Sequence, residues 1–257
     1  KYAFINAKLR ARISKILPEE FSRQMARAAS LAEAAQMLAG TPFAAAEAAY
    51  TRTGDIKMAE LELLRAEVEL YREIEGRVEG QVRELVYALA TRFEVEELKG
   101  ALRLWFDARV RGRRIEGSQG YLLRERIHHA LDLDRIVGAS SLLEAAAALD
   151  GTPYAAIVTA QAARVMEMQT LFPVEIALDH HFYRQLIAAV SELSKTDRAV
   201  AQRLVGVQID MENISWLIRF KSFYHMSLQE VLEYSIPAGV NLNRELIASA
   251  YEAEHSS

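Results

Sequence analysis

Two pairs of adjacent histidines, His128-His129 and His180-His181, are the side chains in this sequence that most invite a chemical role. Imidazole binds metal ions well, so each pair is a candidate for a set of metal ligands. Adjacent residues on a helix point about 100° apart, so neither pair can bind one ion alone. The sequence also lacks the His-x-x-x-His and cysteine spacings of zinc sites. We therefore expect no metal and no other cofactor.

Residues and loops that carry out nucleophilic or nucleotide chemistry are also missing from the sequence. It contains no cysteine, which excludes disulfides and thiolate chemistry. It contains neither the Gly-x-x-x-x-Gly-Lys-Ser/Thr loop that cradles phosphates nor a Gly-x-Gly-x-x-Gly segment after a strand. We therefore assign no catalytic residue and predict that the protein is not an enzyme.

The densest basic segment of the chain consists of Arg109, Arg111, Arg113 and Arg114. A nucleic-acid surface needs a broader basic face with aromatic side chains for stacking, and the net charge of this chain is −4. Cations are favourable near the C-terminus of a helix, so a solvated helix end is the preferred interpretation. Contact with lipid headgroups or with a membrane-embedded partner is the alternative. No nucleic-acid partner is expected.

Two further arginines, Arg103 and Arg219, occupy matching places in two similar segments described below. Neither lies on the main apolar stripe of its predicted helix. Each one either faces an acidic patch on a partner or pairs with a neighbouring helix, and the sequence favours neither interpretation. Together with the basic segment, these two arginines are our candidates for a partner interface.

The spacing of apolar residues predicts the elements that would position these side chains. Glycine occurs 12 times and proline 5 times in 257 residues, which favours few and long elements. Apolar residues recur every three or four positions over 4–17, 58–87, 94–110 and 210–224, and strand-like alternation is nowhere sustained. We therefore predict an all-α fold. No apolar run approaches the ~18 residues of a membrane span, so we expect a soluble or peripheral protein.

Two acidic clusters lie near the starts of two of these predicted helices. Acidic and amide side chains cap free N–H groups at a helix N-terminus and favour the helix dipole, so we interpret both clusters as N-terminal caps. Contact with a partner is the alternative. The first cluster is Glu94, Glu96 and Glu97, and the second is Asp210, Glu212 and Asn213.

The most informative pattern is an internal duplication. Residues 31–45 and 142–156 align without a gap at an offset of 111, and each is an alanine-rich segment that runs into Gly-Thr-Pro and an aromatic residue. Glycine tolerates left-handed backbone at a helix end, and proline shortly after it cannot continue the helix. Residues 93–103 align with 209–219 at an offset of 116, which pairs Arg103 with Arg219.

Two alignments at similar offsets predict two complete copies of a helical repeat unit. The predicted repeats are residues 1–120 and 121–238. Residues 239–257 hold the end of a loop and a predicted helix from Arg244 to Ala253, which we interpret as the start of a third repeat. Repeats of this kind bury their cores by packing unit against unit.

Three segments resemble one known family, in the same order along the chain. Residues 2–12 are similar to the start of the C subunit of the archaeal and bacterial A/V-type ATPases, whose eukaryotic V-ATPase equivalent is the d subunit. Residues 210–221 resemble that family's acidic-x-Glu-Asn-apolar motif, which a basic helix follows. Pro237-Ala238-Gly239 resembles the Pro-Gly-Gly loop that comes next. The resemblance covers essentially the whole chain.

The resemblance implies an all-helical subunit with three similar repeats that form a funnel around a pseudo-threefold axis. It implies a non-catalytic central-stalk role in which the subunit caps the c/K-type membrane ring, receives the rotor shaft and transmits torque. The implied partners are the shaft subunits and the ring, and the implied location is peripheral, on the cytoplasmic face of a membrane. This chain holds two complete repeats where the family has three. A generic helical interaction scaffold is the competing hypothesis.

Overall fold

The computed structural model describes residues 2–253, which form thirteen α-helices and one turn of 3-10 helix. No strand occurs within that range, so the predicted all-α fold class is confirmed for it. The α-helices are α1 Ala3–Ile13, α2 Glu19–Ala26, α3 Leu31–Gln36, α4 Ala44–Thr53, α5 Ile56–Glu75, α6 Gly80–Arg109, α7 Leu133–Gly138, α8 Leu142–Ala147, α9 Tyr154–Met168, α10 Phe172–Ser191, α11 Lys195–Ser222, α12 Leu228–Tyr234 and α13 Arg244–Glu252, and the 3-10 turn is Ser118–Tyr121.

The two alanine-rich segments begin with the same capping arrangement. The hydroxyl of Ser30 accepts a hydrogen bond from the Glu33 amide, and the Glu33 carboxylate accepts one from the Ala29 amide. Ser141 and Glu144 repeat this arrangement at the start of α8. Both α3 and α8 have only six residues, so these caps satisfy backbone donors that such short helices would otherwise leave free.

The same two segments also end alike. Gly40 and Gly151 have φ angles of +76° and +81°, in the left-handed region that glycine adopts without steric cost. The hydroxyls of Thr41 and Thr152 each donate to the carbonyl three residues earlier, at 2.6 Å and 2.7 Å. The helices α4 and α9 then start within two residues of each proline. The two segments thus share local structure, while the repeat units themselves stay a prediction.

One predicted helix is in fact two helices. The apolar period over 58–87 predicted a single helix, but α5 ends at Glu75 and α6 starts at Gly80. The amides of Gly76 and Arg77 bond back to the last turn of α5, and Gly80 has a φ of +57°. The apolar side of α5 faces the apolar side of α6. The three- and four-residue spacing of apolar residues therefore continues across the turn, and the turn is not visible in the sequence pattern.

The helices α5 and α6 enclose an apolar core. Leu61 and Val68 of α5 pack with Phe93 of α6 and with Leu123 in the segment that follows. Tyr71 meets Phe93 edge-on, with the ring centroids 5.3 Å apart. The pairs Glu75–Arg83 and Glu67–Arg92 show that α5 and α6 run antiparallel.

The other predicted helices differ from the structure mainly at their ends. Both α6 and α11 begin roughly four turns before the predicted starts at residues 94 and 210. The first predicted helix, 4–17, ends earlier, at Ile13. The predicted helix at Arg244 to Ala253 is confirmed as α13. Positions 94 and 210 therefore lie inside long helices, which changes the interpretation of both acidic clusters.

The chain divides into two compact units, Lys1–Leu171 and Phe172–Ser257. The first contains α1 to α9 and the second contains α10 to α13, so each has one pair of long helices together with short ones. A compact unit is defined by contacts, whereas a repeat is defined by sequence, so this division need not follow the predicted boundaries at 120 and 238. Those repeat boundaries stay a prediction.

Candidate partner interfaces

The interpretation of the first acidic cluster as a helix N-terminus is wrong. Glu94 lies in the middle of α6 and is only 1% exposed. Its carboxylate accepts hydrogen bonds from the amides of His128 (2.9 Å) and His129 (2.7 Å) and from the Tyr154 hydroxyl (2.8 Å), and it shares another with the His129 ring (2.6 Å). Burial works to raise the pKa of Glu94, but these bonds outweigh it and lower the pKa. Glu94 therefore ties the loop after α6 to the helix.

Glu97, one turn further along α6, holds the same loop by a second bond. Its carboxylate accepts a hydrogen bond from the Leu123 amide at 2.7 Å. Burial raises the pKa of Glu97 to about 7, and the negative charges of Glu96 and Glu125 add to the rise while the Leu123 bond opposes it. Glu97 thus titrates near neutral pH, although its place in the sequence suggested only a capping role.

The second cluster is also inside a helix, and two of its three residues, Asp210 and Asn213, are buried. Asp210 in α11 accepts hydrogen bonds from the Asn241 amide (2.8 Å), the Asn241 side chain (3.0 Å) and the Leu242 amide (3.1 Å). Asn213 accepts from the Ile236 amide at 2.8 Å and donates to the Ile236 carbonyl at 2.9 Å. Because Asp210 and Asn213 are buried within their own unit, neither N-terminal capping nor direct partner contact describes them.

The two clusters bind their loops in the same way. On the helices, positions 94 and 97 correspond to 210 and 213, at an offset of 116. In the loops, the residues whose amides they bind also correspond, at an offset of 113. These loop positions are 123, 128 and 129 in the first cluster and 236, 241 and 242 in the second. In each case an acidic side chain accepts two consecutive loop amides. We call these arrangements the first and second loop clamps. In each compact unit, the clamp ties a loop to the middle of a long helix.

Two glycines, Gly239 of the Pro-Ala-Gly segment and Gly206 of α11, allow the second loop clamp to close. A Cβ on Gly239 would collide with the Asp210 carboxylate, and a Cβ on Gly206 would collide with the Val240 side chain. Glycine is the residue that permits such close backbone approach. The signal in the sequence was the Pro-Ala-Gly loop, whose packing surface on α11 could not be inferred from spacing alone.

Arg109, a predicted interface residue, binds backbone within the first compact unit. Its guanidinium donates to the carbonyls of Gly138 (2.9 Å) and Ala139 (3.1 Å), at the C-terminus of α7. The indole of Trp105 donates to the same Ala139 carbonyl at 3.0 Å. A cation is favourable at this end of a helix, so Arg109 stabilises α7.

The rest of the basic segment lies just beyond the end of α6 at Arg109, as the helix-end interpretation predicted. Arg111 and Arg113 both pair with Asp107, at 3.0 Å and 3.4 Å, and such exposed pairs contribute at most about 1 kcal/mol. Arg114 is exposed and forms no hydrogen bond or ion pair with any other described residue. Of the four, Arg114 is the one most available to a partner.

Arg103 and Arg219 both point to solvent from the long helices α6 and α11. Within residues 2–253, no hydrogen bond or ion pair holds the Arg219 guanidinium. The structure therefore places neither arginine in the core. The role of all six predicted interface arginines as partner contacts stays a prediction.

A second surface, which the sequence pattern misrepresented, lies on α11. The apolar side of the helix predicted at 210–224 included Met211, Ile214 and Ile218, which suggested a buried face. All three are exposed, and they continue a longer row of exposed apolar side chains. We call this row the α11 stripe, and its members are Val200, Leu204, Val207, Met211, Ile214 and Ile218.

All four histidines of the two pairs are half-buried. His128 stacks on the Tyr87 ring with centroids 3.6 Å apart, and His129 belongs to the first loop clamp. The ring of His180 lies 5.6 Å from that of Trp216. Among the described residues, no three histidine, aspartate or glutamate side chains are grouped so that they could hold a metal ion. None of the described helices has the length and apolar character needed to span a bilayer.

Comparison with known proteins identifies the family of this helical architecture. The model of the ATP synthase (C/AC39) subunit family matches residues 5–257. This chain belongs to the ATP synthase (C/AC39) subunit family. The predicted resemblance to the C subunit of A/V-type ATPases is thereby confirmed.

Individual relatives carry matching names. The C subunit of the A-type ATP synthase of Methanosphaera stadtmanae is 25% identical over 253 residues, which are 98% of this chain and 63% of the relative. The C subunit from Methanothermobacter thermautotrophicus is 24% identical over 256 residues, again with 63% of the relative covered. The C subunit from Methanocaldococcus jannaschii is 21% identical over 242 residues, which are 94% of this chain and 59% of the relative. The chain thus spans about 63% of the length of the first two relatives.

Proposed function

We propose that this chain is a non-catalytic central-stalk subunit of an A/V-type rotary ATPase, where it links the rotor shaft to the membrane ring. The family match over residues 5–257 is the observation that carries the proposal. The relatives named above are subunits of A-type ATP synthases, which supports placing the chain in such a complex. The proposed location is the cytoplasmic face of a membrane, held there by partner subunits.

Stiffness within each compact unit supports a mechanical role. A subunit that passes torque between two partners loses coupling if its loops yield under load. The loop clamps oppose this, because each one ties a long loop to the middle of a long helix by several hydrogen bonds to a buried carboxylate. Breaking a clamp would leave buried donors unsatisfied, which costs about 1–3 kcal/mol for each group.

The arginines that remain at the surface support an interface with acidic partner surfaces. Interfaces commonly surround an apolar centre with charged residues that set register and speed association. Arg114 and Arg219 are exposed without ion pairs to other described residues, so their charges are available to a partner. Arg103 is exposed at the position that corresponds to Arg219 in the first unit.

The proposal is tested by isolating the chain from its native membrane. We expect the tagged chain to carry shaft and ring subunits with it from detergent-solubilised membranes, identified by mass spectrometry. Recovery of the chain with other proteins, and without either rotary component, would instead favour the generic helical scaffold.

The charge of Arg219 gives a residue-level test. We expect Arg219→Glu to reduce recovery of shaft or ring subunits by about tenfold, because reversal of an interface charge places like charges together. Arg27→Glu is the matched control, since it reverses an exposed arginine at the end of α2 in the other unit. Circular dichroism should show both variants folded. Equal recovery with both variants would remove Arg219 from the interface.

A further inference from the structure

A cavity of about 420 Å³ lies in the first unit, between the end of α6, the start of α8 and one side of α9. All of the residues that line it belong to that unit, so it is a feature of one compact body. The volume is within the range of roughly 300–1,000 Å³ that is typical of sites for small organic ligands. We call this cavity the α8–α9 groove.

The walls of the α8–α9 groove are mostly apolar. Leu142 and Ala162 line it and are at most 6% exposed, and the buried Trp105 lines it as well. Leu143 and Met166 also line the groove, and they are 58% and 45% exposed. The groove is therefore open to solvent and favours an apolar occupant, because removing both apolar surfaces from water is favourable.

The groove also contains a cation that the protein uses only in part. Arg109 lines the groove, and its Nε and Nη2 atoms donate to the carbonyls of Ala139 and Gly138, which fixes the guanidinium. The remaining nitrogen, Nη1, has no hydrogen-bond partner within residues 2–253, and no carboxylate in that range forms an ion pair with Arg109. A guanidinium carries five N–H donors in a planar fork, so Arg109 can still donate to an anion in the groove.

A hydroxyl group near this guanidinium offers a second donor. Ser141 lines the groove and follows two residues after Ala139, whose carbonyl binds Arg109. The Ser141 oxygen accepts a hydrogen bond from the Glu144 amide at 3.2 Å, and its own O–H group has no acceptor among the described residues. Arg109 and Ser141 together therefore offer two donors to one carboxylate.

The charges near the groove favour an occupant with a single negative charge. Hydrogen bonds from Ser140 lower the pKa of Glu144, and the charges of Arg135 and Arg109 add to this effect. Glu144 is therefore ionised at neutral pH and supplies one negative charge against the two arginines. Its carboxylate already accepts the hydroxyl (2.5 Å) and the amide (2.8 Å) of Ser140. A monoanion would balance the positive charge that remains.

We propose that the α8–α9 groove binds a fatty acid, with its carboxylate on Arg109 and Ser141 and its alkyl chain against the apolar walls. An uncharged hydrocarbon would leave both donors unused, and a small polar anion would leave the apolar walls in water. A molecule that joins one carboxylate to an alkyl chain matches both parts of the groove. The inference rests on the first unit alone and does not depend on a role in a rotary complex.

Two amphiphiles with alkyl chains of equal length and opposite charge test the proposal on the unchanged chain. Decanoate should bind one to one in isothermal titration calorimetry, below its micellar concentration. It should bind at least about tenfold more tightly than decyltrimethylammonium, which lacks acceptor oxygens and repels Arg109. In a Trp216→Phe background, the fluorescence of Trp105 should change as decanoate saturates the groove, because Trp105 lines it.

Two matched pairs of variants locate the binding. Ala163→Phe fills the groove and should weaken decanoate binding about tenfold, whereas Ala160→Phe adds the same ring at an exposed position of α9 outside the groove and should not. Thr159→Phe, on the same wall, replaces Ala163→Phe if that variant does not fold. Arg109→Met should reduce the preference for decanoate over decyltrimethylammonium about tenfold, and Arg114→Met, which removes the same charge from an exposed position, should leave it unchanged.

Every outcome of these titrations decides for or against the proposal. Saturable binding of decanoate that Ala163→Phe weakens and Ala160→Phe preserves supports it. Absence of saturable binding, equal affinity for the two amphiphiles, an unchanged Trp105 signal or equal effects within either pair of variants overturns it. The chain without ligand is also studied by sedimentation. A dimer that Ala163→Phe abolishes would make a second copy of the chain the occupant of the groove and would likewise overturn the proposal.

Discussion

The helices α6 and α11 have the same role in their units, but they differ in how much of their surface is buried. Both carry a loop clamp at matching positions, and both hold the C-terminus of a short helix through residues 105 and 221. Yet α6 buries Leu98 completely, while its counterpart Ile214 on α11 is 46% exposed. The comparison teaches that an apolar stripe predicts the capacity of a helix to pack and does not reveal whether a neighbour is there.

The first loop clamp should give the largest effect on stability. We expect Glu94→Ala to lower the free energy of unfolding of the first unit by about 3–5 kcal/mol, because it leaves two amides, an imidazole and a tyrosine hydroxyl without their acceptor. Asp210→Ala should lower that of the second unit by less, since its bonds do not include a buried tyrosine.

Each unit contains one of the two tryptophans, Trp105 or Trp216, so each can be followed by fluorescence when the other is changed to phenylalanine. Glu84→Ala is the control for Glu94→Ala, because it removes an exposed carboxylate from the same helix. A loss below about 1 kcal/mol for Glu94→Ala would show that the clamp does not hold the loop.

The stripe positions should give the next largest effect, and they compare α6 with α11 directly. We expect Leu98→Ala to cost the first unit about 3 kcal/mol, because it opens a cavity at a fully buried site. Ile214→Ala should cost the second unit less than about 1 kcal/mol, because much of its side chain is already in water. Urea unfolding followed at Trp105 and Trp216 measures both. Equal losses at the two positions would mean that the stripe is covered in solution.

The pH dependence of the first unit should show the smallest effect. Glu97 has a pKa raised to about 7 from 4.5, so the folded state binds its proton more tightly than the unfolded chain. The resulting stability is present below pH 4.5 and is lost as the pH rises to about 7. We expect Glu97→Gln to remove this loss and to stabilise the first unit at pH 8 by about 1–2 kcal/mol, after allowance for partial solvent screening.

The second unit supplies the control for that titration, because Asn213 occupies the position that corresponds to Glu97 and carries no charge. Asn213→Asp should give the second unit a new loss of stability with rising pH, followed at Trp216. If the first unit keeps the same pH profile after Glu97→Gln, another group is responsible for it.

The sequence predicted the helical class and the family, and it placed the two Gly-Thr-Pro ends correctly. These features follow from local rules, since Gly40 and Gly151 need left-handed backbone and the serine caps act within four residues. The role of Glu94 could not be predicted in this way. Its hydrogen-bond partners lie 34, 35 and 60 residues away along the chain. Local sequence suggests a carboxylate at a helix start, whereas in the fold the same carboxylate is a buried acceptor.

The predicted arginine interface shows the same limit. The run of four arginines predicted a solvated helix end, with contact to a partner as the alternative. In the structure, Arg109 donates to the backbone at the C-terminus of α7, and Arg111 and Arg113 pair with Asp107. The spacing of charged residues along the chain cannot distinguish an arginine that caps a distant helix from an exposed arginine that is available to bind another protein. The exposed Arg114 and Arg219 are the candidates that the structure leaves for contact with another protein.

The number of copies of this chain in the assembled complex tests the central proposal most directly. A subunit that joins the shaft to the ring lies on the rotation axis, so it should occur once in each complex. Native mass spectrometry of the complex purified from membranes should therefore find one copy of the chain together with the shaft and ring subunits. A complex that contains several copies of the chain, or that contains shaft and ring without it, would contradict the proposal.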